Sequence, residues 1–175
     1  MHLVLVQVRI LSFARLKIYA QEGFQMTEFN RKAGVLWTGD LKNGNGLIST
    51  ESRVLYELPY SYQTRFGDEM GLNPEELIAA AHASCFAMAL ANTLAKNGYN
   101  PVQTETTATC TLASQNGGFD ISKMKLHVRC EVPGIDEATF NKLVREADKG
   151  CPVSNLLRDG LDIEITTDLI NSSAP

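Results

Sequence analysis

The sequence predicts an α+β domain in which strand pairs surround one long, buried central helix. Three observations carry this: an early segment rich in Asn-Gly turn signals, a long apolar stretch with helix caps at both ends, and later segments of alternating apolar and polar residues. Their order is strands, helix, strands, helix, strand, which is α+β and not a regular βαβ series. The length of 175 residues is that of one domain able to bury a real core.

Residues 33–39 read as a strand, and Lys42-Asn43-Gly44-Asn45-Gly46 as a hairpin turn whose glycines supply positive φ. Strands are expected at 47–52 and 54–58, followed by an irregular polar segment, 59–70, that holds Arg65. The helix then begins. Asn73 is its N-cap, Pro74 suits the first helical position, Glu76 stands where a capping box needs it, and Glu75 and Glu76 favour the positive end. Gly98 ends it after Lys96. Its middle is apolar almost all round, which predicts burial on every side.

Residues 102–132 read as two strands joined by Gln115-Asn116-Gly117-Gly118. Cys110 shares a face with Ala108 and Leu112, and Cys130 shares one with Met124, Leu126, Val128 and Val132, so both thiols are read as core packing. His127 and Arg129 fall on the solvated face. A second helix starts at Asp136, carries the stripe Phe140, Leu143, Val144 and Ala147, and ends at Gly150. A short helix is expected over 153–157, and alternation over 161–169 closes the chain with a strand.

The composition is that of a soluble globular protein, with net charge −4. No basic block marks a nucleic-acid surface, and no apolar run is judged long and charge-free enough to span a membrane. Four cysteines are too sparse for a disulfide scaffold, and no zinc-type spacing is present. Residues 1–25 are basic and poor in acids, without a signal-peptide core. They read as an extension ahead of Met26, the natural first residue; a transit peptide is the other reading. The expected location is cytoplasmic.

Alternation explains Cys110 and Cys130 but not Cys85 and Cys151. Cys85 is mid-helix, where burial raises a thiol pKa and the helix dipole does little. A reactive Cys85 needs a cation from elsewhere. Arg65, in the loop before the helix, is the better candidate; His82, one turn earlier, reads more readily as a hydrogen-bonded packing residue. Cys151 follows Gly150 and precedes Pro152, at the start of a new helical turn. It is either a structural residue at a helix junction or a thiol in a place that favours thiolate.

The run from Asn73 to Phe86, with Ala81-His82-Ala83-Ser84-Cys85 at its heart, resembles the reactive-cysteine signature of the OsmC/Ohr family. Those names stand for osmotically inducible protein C and organic hydroperoxide resistance protein. Gly150-Cys151-Pro152-Val153-Ser154 resembles the family's second-cysteine motif. Trp37, Ser49-Thr50-Glu51-Ser52 and Thr64-Arg65-Phe66 also fit, and Ala81-His82 and Val132-Pro133-Gly134-Ile135-Asp136 resemble the OsmC branch. The resemblance spans about residues 26–169 and marks 26–175 as an OsmC-like domain.

The resemblance implies antiparallel sheets around a long buried central helix in an intertwined homodimer. It implies a thiol peroxidase in which Cys85 attacks the peroxide and becomes a sulfenic acid, and Cys151 resolves it as a disulfide. Arg65 would stabilise the thiolate, Glu75 would orient that arginine, and an external dithiol of lipoyl type would reduce the disulfide. Sulfur does the redox work, so no metal, flavin or haem is required. Leu77, Phe86 and Met88 hint at organic peroxides, although core packing explains them equally well.

Helix geometry adds a constraint. Glu75 and Cys85 are ten residues apart, which is roughly 15 Å along one regular helix. Either the helix starts later, or the Glu75 beside each Cys85 belongs to another subunit. Two rival functions use the same residues: a redox sensor switched by the disulfide, and a metal- or ligand-binding protein built on Cys85, His82 and Cys151.

Overall fold

The computed structural model describes residues 27–115, 117–160 and 162–170. The expectations for residues 1–25 lie outside the described residues. Among the described residues, two three-stranded sheets carry four helices. The first sheet joins β1 (Ala33–Thr38), β2 (Asn45–Thr50) and β3 (Leu58–Ser61), all antiparallel. After it come α1 (Tyr62–Phe66) and the long helix α2 (Pro74–Lys96). The second sheet joins β4 (Gln103–Gln115), β5 (Gly118–Glu131) and β6 (Asp162–Ile170), with α3 (Glu137–Gly150) and α4 (Pro152–Leu157) between β5 and β6.

The caps of α2 stand where the sequence places them. The Asn73 side chain accepts from the Glu76 backbone N–H at 2.9 Å, Pro74 opens the helix, and Gly98 has φ +83° just beyond the Asn97 C-cap. On β5, Met124, Leu126, Val128 and Cys130 point inward and are buried. Leu126, Val128 and Cys130 meet Phe86, Leu90 and Leu94 of α2 and Phe140, Leu143, Val144 and Ala147 of α3 in one core.

Five expectations are corrected. The strand expected at 54–58 is not formed over 54–57, where Arg53 and Glu57 flank the segment with φ +60° and +50°, which an extended backbone does not accommodate; pairing begins only at Leu58, in β3. The polar segment after it is ordered: Ser61 and Thr64 form a capping box that starts α1, with backbone N–H donors answered at 2.9 and 3.2 Å. The second sheet is mixed and not antiparallel, since β6 runs parallel to β5. The α3–α4 connection supplies the long crossover that a parallel pair needs.

The fourth and fifth concern α2. It is not covered on every side: Glu75, His82, Phe86, Leu90 and Leu94 form a buried stripe, while Ala80, Ala81, Ser84 and Met88 are exposed. The helix is also long and apolar enough to cross a membrane by length and composition, contrary to the reading of the sequence. The charges of α2 lie at its ends, at Glu75, Glu76 and Lys96, which leaves an uncharged middle. Its buried stripe packs on β4 and α3.

Candidate active site

Cys85 and Cys151 meet. Their Sγ atoms are 3.3 Å apart, although 66 residues separate them in sequence. Cys85 projects from the middle of α2 and is half-buried; Cys151 is fully buried. Cys151 is the C-cap of α3 and the N-cap of α4 at once, and its sulfur accepts from the Ser154 backbone N–H at 3.5 Å. Gly150 and Pro152 explain the position: the first is the last residue of α3 and the second opens α4.

Burial pushes the Cys85 thiol up from its ordinary pKa. A hydrogen bond from the Val153 backbone N–H pulls it partly back, and the neighbouring Cys151 raises it further. Within one chain, then, Cys85 is close to its partner sulfur, and both burial and that sulfur favour its neutral form.

Arg65 and Glu75 also meet, but elsewhere. Arg65 Nη2 donates to Glu75 Oε1 at 2.8 Å, and Nε reaches both carboxylate oxygens at 3.3 Å. The Thr64 hydroxyl ties α1 to the approach of α2 by donating to the Leu72 carbonyl at 2.9 Å. Glu75 sits in the first turn of α2, where a carboxylate suits the helix dipole. A cavity of about 320 Å³ opens beside the pair, lined by Trp37, Leu41, Tyr60, Tyr62, Arg65 and Phe66. Because α2 is unbroken from Pro74 to Lys96, Glu75 and Cys85 of one chain stand roughly 15 Å apart along its axis. The four predicted site residues thus form two pairs, and a single chain does not bring the pairs together.

Of the other two thiols, Cys130 packs in the core as expected, whereas Cys110 lies outside the core cluster. Cys130 is buried, with its Sγ 3.1 Å from the Thr104 hydroxyl. Cys110 is half-buried, and burial, then the Glu75 charge, raise its pKa. His82 is fully buried and its Nε2 lies 2.8 Å from Ser154 Oγ. Burial lowers its pKa and the Asp148 charge partly opposes this. Sequence reasoning anticipated a hydrogen-bonded His82 but not its partner; the signal for Ser154 was its place three residues after the Cys151 N-cap. Among the described residues, no group of three or more His, Cys, Asp or Glu is arranged to hold a metal ion.

Comparison with known proteins gives this geometry a family. The family model described as OsmC-like protein matches residues 67–166. The peroxiredoxin OsmC of Escherichia coli is 47% identical over 79% of this chain and 94% of its own length. An organic hydroperoxide resistance protein of Xanthomonas axonopodis pv. citri is 34% identical over 55% of this chain and 66% of its own. The crystal structure of an organic hydroperoxide resistance protein from Elizabethkingia anophelis superposes with a TM-score of 0.66 at 26% identity, covering 83% of this chain and all (100%) of that one. With both cysteine motifs in place and these relatives on either side, the chain belongs to the OsmC/Ohr family and to its OsmC branch.

Proposed function

We propose that the protein is a cysteine-based peroxidase that reduces organic hydroperoxides, and hydrogen peroxide less well, in oxidative and osmotic stress defence. The 3.3 Å approach of Cys85 and Cys151 carries this reading. Two thiols so placed need only a small closure to form a disulfide. The Cys85 thiolate attacks the peroxide O–O bond, releases the alcohol and keeps one oxygen as a sulfenic acid. Cys151 then displaces that oxygen as water and forms the disulfide, and an external dithiol of lipoyl type reduces it.

The raised pKa of Cys85 within one chain indicates what is missing. A second copy would complete the site by bringing its Arg65–Glu75 pair to this Cys85. Apolar surface supports such a homodimer: Met88 on α2 is 75% exposed, and Val35 and Leu36 on β1 are 54% and 65% exposed. Large apolar side chains left exposed in this way are candidates for cover by a second copy.

The test is steady-state consumption of an alkyl hydroperoxide with a dihydrolipoyl dithiol, in wild type and Arg65→Ala, together with the pH profile of Cys85 alkylation. Wild type is expected to turn over. A nearby guanidinium favours thiolate, so Arg65→Ala should move the alkylation profile to higher pH. If the midpoint rises by about one pH unit, the thiolate population at neutral pH falls about tenfold, with a matching loss of peroxidase rate. Superimposable profiles would remove Arg65 from the site, and absence of turnover in wild type would end the peroxidase reading.

A further inference from the structure

We propose that the buried His82–Ser154 hydrogen bond is a positioning device for resolution, a second rung that holds Cys151 in register with Cys85. The proposal deepens the peroxidase reading and rests on its assignment of Cys85 and Cys151 as a redox couple.

The geometry is that of a two-point attachment. His82 and Cys85 are one turn apart on α2, and Cys151 and Ser154 are the N-cap and N3 residues of α4. The rungs run antiparallel: Cys85 to Cys151 at 3.3 Å and His82 to Ser154 at 2.8 Å. A single contact would let α4 pivot about it, whereas two contacts one turn apart fix both position and rotation. Ser154 serves both rungs, since its side chain meets His82 and its backbone N–H donates to Cys151 Sγ at 3.5 Å.

Helix α4 needs such a device. At six residues it is too short to hold its shape alone. Its other polar ties run to α3: Asn155 Nδ2 donates to the Lys149 carbonyl at 2.9 Å, and Arg158 pairs with Asp148 at 2.8 Å. Besides the contacts of the Cys85 sulfur with Cys151 and with the Val153 backbone N–H, His82–Ser154 is the side-chain hydrogen bond that joins α4 to α2 among the described residues. Both side chains are 0% exposed, so water does not compete for the bond, and its loss leaves a buried polar atom without a partner. Burial favours the neutral form of His82, with the Asp148 charge partly opposing, and a neutral imidazole pairs well with a hydroxyl.

The step served is balanced as written. Cys85 sulfenic acid and the Cys151 thiol give a disulfide and water: the S–O bond at Cys85 breaks, the S–S bond forms, and the Cys151 proton leaves with the hydroxide. Cys151 is oxidised and Cys85 is reduced from its sulfenic state. The rung lowers the cost of bringing the two sulfurs into line.

The test separates resolution from peroxide attack. Sulfenic acid formation on Cys85 is followed with a 1,3-diketone probe, disulfide formation by stopped flow, and the Cys85–Cys151 potential in dithiol redox buffers. Ser154→Ala and His82→Leu should resolve at least tenfold more slowly and form a less stable disulfide. A tenfold fall in effective concentration makes the potential about 30 mV less negative. His82→Gln, which keeps an N–H within reach of Ser154, should stay within twofold of wild type. Asn155→Ala, which loosens α4 without touching α2, should do the same. Sulfenic acid formation should be unchanged throughout. Resolution and potential within twofold of wild type in Ser154→Ala would overturn the proposal, as would an equal loss in Asn155→Ala. If Ser154→Ala does not fold, His82→Leu against His82→Gln makes the same comparison. The potential needs no peroxide, so a protein that forms this disulfide but does not reduce hydroperoxides would sink the peroxidase reading and leave the rung measurable.

Discussion

Cys85→Ser is expected to cut dithiol-dependent hydroperoxide consumption by at least about a thousandfold, the scale on which losing a nucleophile is felt. The reason is chemical. A thiol reaches its thiolate near neutral pH and a serine hydroxyl does not, and oxygen in serine's place forms no sulfenic acid. The fold should tolerate the change, because Cys85 is half-buried at the edge of the core and serine is close to it in size. Circular dichroism should therefore match wild type while peroxide consumption falls to background. Undiminished turnover in this variant would contradict the mechanism outright.

Cys151→Ser is the second large effect, and of a different kind. Serine is a good N-cap, and its hydroxyl can accept from the Ser154 backbone N–H as the Cys151 sulfur does. Helix α4 should keep its place, so the loss is one of chemistry and not of structure. The expected result is consumption of one peroxide per chain, accumulation of a diketone-reactive Cys85, and no sustained turnover with the dithiol. Excess peroxide should then carry Cys85 on to the sulfinic acid. Steady turnover at the wild-type rate would show that Cys151 does not resolve.

How far these residues were legible in the sequence depended on how local their signals are. The Asn73–Pro74 start of α2, the alternation that buries Cys130, and the place of Cys151 at a helix start follow from neighbours within a turn or two, and the structure bears them out. The short helix at Tyr62–Phe66 was missed although its Ser61–Thr64 capping box is local, because the polar composition around it masked the signal. The parallel pairing of β6 was not legible, since it depends on where α3 and α4 deliver the chain. The exposed face of α2 was misread for a related reason. Apolar composition alone does not say which face of a helix is covered, and within this chain one stripe of α2 is buried.

The site divides in the same way. The motifs singled out Cys85, Cys151, Arg65 and Glu75, and the helix rise separated Glu75 from Cys85. That Cys85 and Cys151 lie 3.3 Å apart, and that His82 reaches Ser154, are products of α2–α4 packing across 66 and 72 residues of sequence. No spacing along the chain encodes either contact.

Peptide mapping tests the central claim most directly. The reduced protein is treated with one equivalent of an alkyl hydroperoxide, remaining thiols are alkylated, and the digest is read by mass spectrometry. The account predicts a Cys85–Cys151 cross-link within one chain, with Cys110 and Cys130 still alkylated. A cross-link through Cys110 or Cys130, or four alkylated thiols after the peroxide has been consumed, would contradict it.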